Sequence, residues 1–324
     1  MSRLTAIVPA TDRPPTLTRC TEAIRLAEGS PEELLVVDAP ADAGPAAARN
    51  AGARQATGEV LVFVDADVVV REDAFRRIRD AFEADPALTA VFGSYDDAPE
   101  APGPVSSFRN LLHHYVHQSS PGPAATFWAG LGAVRRDSFM AAGGFDEERF
   151  RVPSVEDIDL GMRLTSAGQR IVLDPLLQGK HLKSWSLAEM VRTDFARRGI
   201  PWVELMLEDR RQASRGALNL GWEHRLSALA CLVGLAGLLR RRPLAVVAMV
   251  IALVAINRPF YLLLRRNGLS TAVAGVGLHV IHHLTGVAAV PAGLIAHLRG
   301  GQRVPIPPHQ GSPDQGRDER LPAG

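Results

Sequence analysis

At 324 residues the chain is long enough for one ordinary domain plus an appendage, and its net charge of +1 excludes a global electrostatic case for nucleic acid as a partner. Lysine occurs only at Lys180 and Lys183, so the arginine-rich basic set is a compositional bias rather than a sign of phosphate recognition. The two cysteines, Cys20 and Cys231, lie far apart in different contexts, which argues against a disulfide framework or a cysteine metal site and fits a reducing compartment.

Met1 to Leu4 carries one basic residue and no long apolar run, so no cleaved signal peptide is expected. Leu4 to Val8 reads as a buried strand opening into a turn at Pro14-Pro15. Thr16 to Ala27 reads as a helix closed by Gly29-Ser30-Pro31. Leu34 to Val37 is a second strand ending at Asp38, Ala46 to Ala56 a helix, and Val60 to Val64 a third strand running straight into Asp65. Ala74 to Glu83 is an amphipathic helix, followed by a strand over Leu88 to Phe92. This alternation predicts an α/β layered domain with a largely parallel sheet. Ligands of such sheets collect at the carboxyl ends of the strands, where Pro9 to Arg13, Asp38 and Asp65 to Asp67 fall.

From about Leu226 the character changes. Leu226 to Leu239 is uncharged, Arg240 to Arg242 intervene, Pro243 to Ile256 is apolar, and Asn257-Arg258-Pro259 interrupts before Phe260 to Leu264. A third stretch, Leu269 to Leu298, is apolar apart from His279, His282, His283 and His297. A membrane-spanning helix needs ~20 predominantly apolar residues, which the third stretch meets and the first does not. An interfacial helix followed by two spans is the expected arrangement. The arginines at 210, 211, 215 and 225 suit an anionic cytoplasmic surface just before it. Domain boundaries are expected at 1–215, 216–300 and 301–324, the last a Pro-, Gly- and charge-rich tail expected to be disordered.

The densest chemical signal is Asp65-Ala66-Asp67. A buried strand ends in two carboxylates one residue apart, which extended geometry points the same way. Hard oxygen ligands so placed suit Mg²⁺ or Mn²⁺ seated on substrate phosphates. Downstream, Glu156, Asp157 and Asp159 crowd negative charge at a helix start. Mutual repulsion can raise one carboxyl toward a useful pKa, although a macrodipole-stabilised N-terminus explains the same residues.

Four blocks, in order, give the stretch from Leu4 to Trp202 a resemblance to the family 2 glycosyltransferases. They are Ile7-Val8-Pro9-Ala10-Thr11-Asp12-Arg13-Pro14; Ala48-Arg49-Asn50-Ala51-Gly52 with Gly58-Glu59-Val60; Gly143-Gly144-Phe145-Asp146; and Glu156-Asp157-Ile158-Asp159-Leu160. The resemblance implies a GT-A fold, Rossmann-like, followed here by hydrophobic membrane helices. It implies a nucleotide-diphospho-sugar donor contacted by Pro9, Thr11, Arg13, Asp38, Arg49 and Asp65. It also implies a divalent metal on Asp67, with Asp65 supporting the metal or the donor ribose. Asp157, with Glu156 beside it, would be the base that takes the acceptor proton, and a single in-line displacement would invert the anomeric centre. His181 stands where a histidine completes the metal site in some relatives.

Arg197-Arg198-Gly199-Ile200-Pro201-Trp202 occupies the place of a Gln-x-x-Arg-Trp block but lacks its Gln and its spacing. Arg197, Arg198 and Trp202 are therefore candidates for a phosphate or acceptor contact, and processive synthesis is not implied. A single acid, Asp38-Ala39, replaces the family's usual pair, so UDP- and GDP-sugars both stay open. The expected acceptor is lipid-linked or membrane-resident, with the catalytic domain on the cytoplasmic face of the inner membrane. His113, His114 and His117 read as an ordinary polar helix face bordering the acceptor side. Two other functions compete. A catalytically silent membrane-anchored scaffold has no chemical reason to keep Asp65, Asp67 and Asp157. A nucleotidyltransferase would need a Gly-rich loop, and Pro9 to Pro15 contains no glycine.

Overall fold

A computed structural model of the chain describes residues 2–41, 43–208 and 221–300. The tail after Gly300, and residues 209–220 where the first domain boundary was expected, lie outside these. The N-terminal strands are β1 (Leu4–Pro9), β2 (Glu33–Val37), β3 (Val60–Val64), β4 (Val68–Val70) and β5 (Leu88–Tyr95). They are followed by β6 (Gly122–Ala124), β7 (Leu131–Arg135) and β8 (Arg170–His181). The sheet runs β2-β1-β3-β7-β5-β8-β4, with β6 on the first half of β8.

The sheet is mixed rather than largely parallel. β1 pairs parallel with β2 and β3, and β5 with β8, whereas β7 runs antiparallel between β3 and β5 and β4 runs antiparallel to β8. Strand–helix alternation could not reveal β7, because Leu131–Arg135 follows a loop and not a crossover helix. The consequence is functional. The carboxyl ends of β1, β2, β3, β5 and β8 and the entry to β7 meet at one edge, as do Asp38, Asp65, Tyr95, Trp128 to Gly130 and His181.

Period-two alternation sorts the core onto the two sheet faces. Leu4, Ala6, Val8, Val60, Val62 and Val64 pack under α1 (Leu17–Leu26) and α3 (Ala74–Ala84). Ile7, Leu61 and Phe63 pack under α2 (Pro45–Gln55) and α6 (Glu156–Ser166), with Phe139 and Phe145 completing an aromatic cluster on Phe63. α5 (Arg136–Ala141) follows β7. α4 (Pro104–Gln118) covers β5 and meets the C-terminal helices through Phe108 and Leu111.

After β8 the chain forms one helical arm: α7 (Leu187–Arg192), a π-helical turn over Thr193–Gly199, and α8 (Ile200–Glu208). A capping box at Ser186 and Glu189 starts it. The helical region comprises α9 (Trp222–Leu239), α10 (Pro243–Ile256), α11 (Arg258–Arg266) and α12 (Leu269–Gly300). α9 and α10 form a hairpin in which Gly234 lies against Met249 and Gly237 against Ala245. Of the described helices, α12 is long and apolar enough to cross a membrane, and α10 with α11 would count as a second only as one span bent by 83°. α12 docks along the arm, with Gly293 against Val203 and Ala289 against Gly199.

Buried charge fixes this docking. Asp194, in the π-helical turn, accepts from Arg109 at 2.9 Å and from Nδ1 of His282 on α12 at 2.8 Å. Burial works against the Asp194 charge, but the His282 hydrogen bond and the Arg109 charge outweigh it and hold the carboxyl down at about 2. The stability it contributes is complete above its unfolded value near 4 and is lost as pH falls through about 2. Asp194→Asn leaves the Arg109 charge buried without its partner. Removing one member of such a pair costs about 3–5 kcal/mol, to be read from denaturant unfolding at neutral pH; a loss under about 1 kcal/mol would refute the role.

Candidate active site

The functional edge is built from the strand ends upward. β3 is fully buried, and its end is held by neighbouring backbone: Asp65 N donates to Gly130 O at 3.1 Å, and Val68 N to Asp65 O at 2.9 Å. From α1, Thr16 Oγ1 donates to Ala66 O at 2.8 Å. The Asp65–Asp67 turn is therefore rigid before any ligand arrives.

Three of the four sequence blocks converge on Arg49. Its guanidinium donates to Asp65 Oδ1 at 2.6 Å and to Glu156 Oε1 at 3.0 Å, and its side chain is only 5% exposed. Burial opposes the charge on Arg49, but Asp65, Glu156 and Asp157 outweigh it and hold the group firmly protonated. The next residue, Asn50, reads the backbone of Phe145 with both ends of its amide, at 2.8 and 2.9 Å. Gly144 makes that close approach possible: at φ +69°, a Cβ there would lie 2.6 Å from Asn50 Oδ1. One helix thus ties the β3 end, the Gly143–Asp146 turn and the start of α6 together.

Asp157 sits at that start. Its Oδ2 accepts from Ala129 N at 3.2 Å and its Oδ1 from Ile158 N at 2.8 Å. Burial pushes its carboxyl up to about 7, and the Glu156 charge adds to the rise. Ala129 adjoins Gly130, whose carbonyl holds Asp65, so one dipeptide positions both acidic groups. Glu156 is itself buried, accepting also from Ser154 N at 2.8 Å.

Asp67 has a different partner, His181 Nε2 at 3.5 Å. Burial raises the Asp67 carboxyl, but the His181 hydrogen bond and the charges of His181 and Lys183 outweigh it and leave the pKa below its ordinary value. No group of three His, Cys, Asp or Glu side chains poised for a metal occurs among the described residues. The pair Asp67 and His181 fits a cation that takes its remaining oxygens from a diphosphate and water, the usual habit of Mg²⁺. Asp65 is engaged by Arg49.

At the β1 and β2 ends, Arg13 Nη2 meets Asp38 Oδ2 at 3.3 Å across the edge, both exposed, with Pro9 and Thr11 between the strand and this pair. The arm candidates are not gathered into the carboxylate cluster. Arg197 enters through its backbone, its carbonyl accepting from Ser154 Oγ at 2.6 Å. Trp202 packs with Phe150, Val155, Met162 and Leu205 behind α6. Arg198 is exposed, near enough for its charge to act on Tyr95 and Asp194.

Sequence reasoning missed an aromatic wall. Tyr95 stacks on His181 at 4.1 Å and 10°, stands edge-on to Trp128 at 4.9 Å, and meets His113 at 4.2 Å. A side chain at Gly130 would collide with the Trp128 indole, so the missing Cβ lets the ring lie against the Asp65 turn. His113 and His117 stack at 3.9 Å, with His117 buried and Nδ1 on Gly93 O at 2.8 Å. The three histidines are therefore not an ordinary polar face: they hydrogen-bond or stack into this wall. Aromatic residues at the end of β5 and just before the start of β7 were the available signal.

Residues 39–142 match the family described as Glycosyl transferase family 2. The match covers about a third of the chain. The chain is 29% identical over 165 residues to the pre-mycofactocin glycosyltransferase of Mycobacterium tuberculosis, in strains CDC 1551 / Oshkosh and ATCC 25618 / H37Rv. That alignment takes in 47% of this chain and 34% of the relative, so the chain spans about a third of the length of the curated relatives it matches. Among solved structures it is similar to the mannosyltransferase PcManGT from Pyrobaculum calidifontis, determined in complex with GDP-Man and Mn²⁺. The TM-score is 0.54 at 17% identity, covering 93% of this chain and 88% of that one. The mixed α/β fold is thus GT-A-like, and the structural likeness takes in 93% of the chain.

Proposed function

We propose that this chain is a family 2 glycosyltransferase that moves a sugar from a nucleotide-diphosphate donor to an acceptor hydroxyl with inversion. The observation that carries it is the Asp157 carboxyl: raised to about 7 and fixed by Ala129 N beside the Asp65 turn, it is a base poised near neutral pH. The donor nucleotide lies along Pro9, Thr11 and the Arg13–Asp38 pair, with its diphosphate at Asp67 and His181. A divalent ion, Mg²⁺ or Mn²⁺, held there would neutralise the departing diphosphate. Arg49 holds Asp65 and Glu156 in place, so that the donor-side turn and the base helix stay in register. Asp157 takes the proton as the acceptor oxygen attacks the anomeric carbon from the face opposite the diphosphate. The exposed apolar side chains of α9, α10 and α12 support attachment to a membrane and an acceptor that resides there. The division into a catalytic unit over 1–215 and a membrane-associated unit over 216–300 belongs to the same reading.

The experiment is donor hydrolysis by the purified full chain, following nucleoside diphosphate release with Mn²⁺, Mg²⁺ or EDTA. Release should need the metal, and Asp67→Ala should reduce it by about 10²–10³-fold, the scale of losing one dedicated electrostatic stabiliser of the leaving charge. Release unchanged by EDTA and by Asp67→Ala would overturn the metal assignment. No release from any nucleotide sugar, with or without membrane lipids, would overturn transfer itself.

A further inference from the structure

The helical region carries a charge pattern that transfer chemistry does not use. From His224 to Gly300 the sequence contains no aspartate or glutamate, yet has arginine at 225, 240, 241, 242, 258, 265, 266 and 299. α11 concentrates this pattern. Phe260, Tyr261 and Leu264 face inward, while Arg258, Leu262 and Arg265 form an exposed stripe at i, i+4 and i+7. The 83° bend between α10 and α11 opens a groove of about 280 Å³ against the start of α12. Arg258 and Arg265 line it together with Val254, Leu262, Val273 and Val276.

Two guanidiniums with no carboxylate on α10, α11 or α12 to neutralise them call for an anion, and the planar fork of arginine suits phosphate oxygens in particular. The apolar wall calls for hydrocarbon. We propose that this groove binds one anionic phospholipid, its phosphate between Arg258 and Arg265 and an acyl chain along Val254, Leu262, Val273 and Val276. The proposal rests on the membrane attachment inferred above and is independent of the transfer chemistry. A second copy of this chain is the poorer occupant, because it would bring the same arginines face to face. A soluble acidic peptide would leave the apolar wall, and the exposed Leu244, Val247 and Ile251 on α10, in water.

The test uses the full chain in non-ionic detergent, with bound lipid counted by native mass spectrometry after adding phosphatidylglycerol, phosphatidylcholine or inorganic phosphate. One phosphatidylglycerol should be retained, at least about tenfold more tightly than phosphatidylcholine, because each arginine near a lipid phosphate contributes about a fivefold factor. Arg258→Gln with Arg265→Gln should abolish that preference. Arg240→Gln, Arg241→Gln and Arg242→Gln together, in the loop between α9 and α10, should leave it intact. Equal retention of both lipids, full competition by inorganic phosphate, or equal loss in the loop variant would overturn the site. Nucleotide-sugar binding, measured on the same samples, separates the two readings. Lipid loss with donor binding retained indicts only the groove, and absent donor binding with lipid retained indicts only the transferase.

Discussion

Asp157→Asn should lower turnover by about 10²–10⁴-fold while leaving donor affinity unchanged, the range expected for removing a general base. Asparagine keeps the size of the side chain and can still accept the Ala129 N hydrogen bond, so the start of α6 stays in place. Only proton uptake is lost. The wild-type rate should carry the same signature in its pH dependence. The group is raised to about 7, so it is protonated and idle below that value, and kcat/KM should rise through about pH 7 to a plateau. In the variant the rise should vanish. A variant that keeps both the rate and the rise places the base elsewhere.

Arg49→Met should destabilise the fold by about 3–5 kcal/mol, because it strands the buried Glu156 and the half-buried Asp65 without their shared cation. For a domain of this size that lowers the unfolding midpoint by about 10 °C in a thermal scan. The double variant Arg49→Met with Glu156→Gln should recover part of the loss, since one of the stranded charges is gone. Equal destabilisation in the single and double variants would mean that Glu156 does not depend on Arg49. Activity should fall with the single variant even at temperatures where it stays folded, because Asp65 and α6 lose their common tether.

The strands that begin the domain were legible because they are short apolar runs, β1, β3 and β5 almost wholly buried, that end at turn-forming residues. Val60–Val64 was read to the residue, and Leu4, Leu34 and Leu88 as strand starts to within one. β7 was not legible. Its direction follows from where α5 and the Phe127–Gly130 segment pack, which is a tertiary fact with no local periodicity. The acidic residues of the site were visible as motifs, but their partners were not. Arg49 read as a donor contact, and no spacing rule announces that it bridges residues 16 and 107 positions away. The histidines of α4 looked like a polar face because i, i+4 spacing is the same whether that face meets water or aromatic rings. His282 stood out only as a polar residue in an apolar run, and the buried Asp194 and Arg109 that receive it were not foreseen.

Calorimetric titration of the purified full chain with UDP- and GDP-sugars, in Mn²⁺ and then in EDTA, tests the donor site before any acceptor is known. One nucleotide sugar should bind with Mn²⁺, lose its affinity in EDTA and in Asp67→Ala, and bind Asp157→Asn as well as wild type. Absence of binding by every nucleotide sugar under both conditions, in a chain whose unfolding transition shows it intact, would contradict the transferase reading.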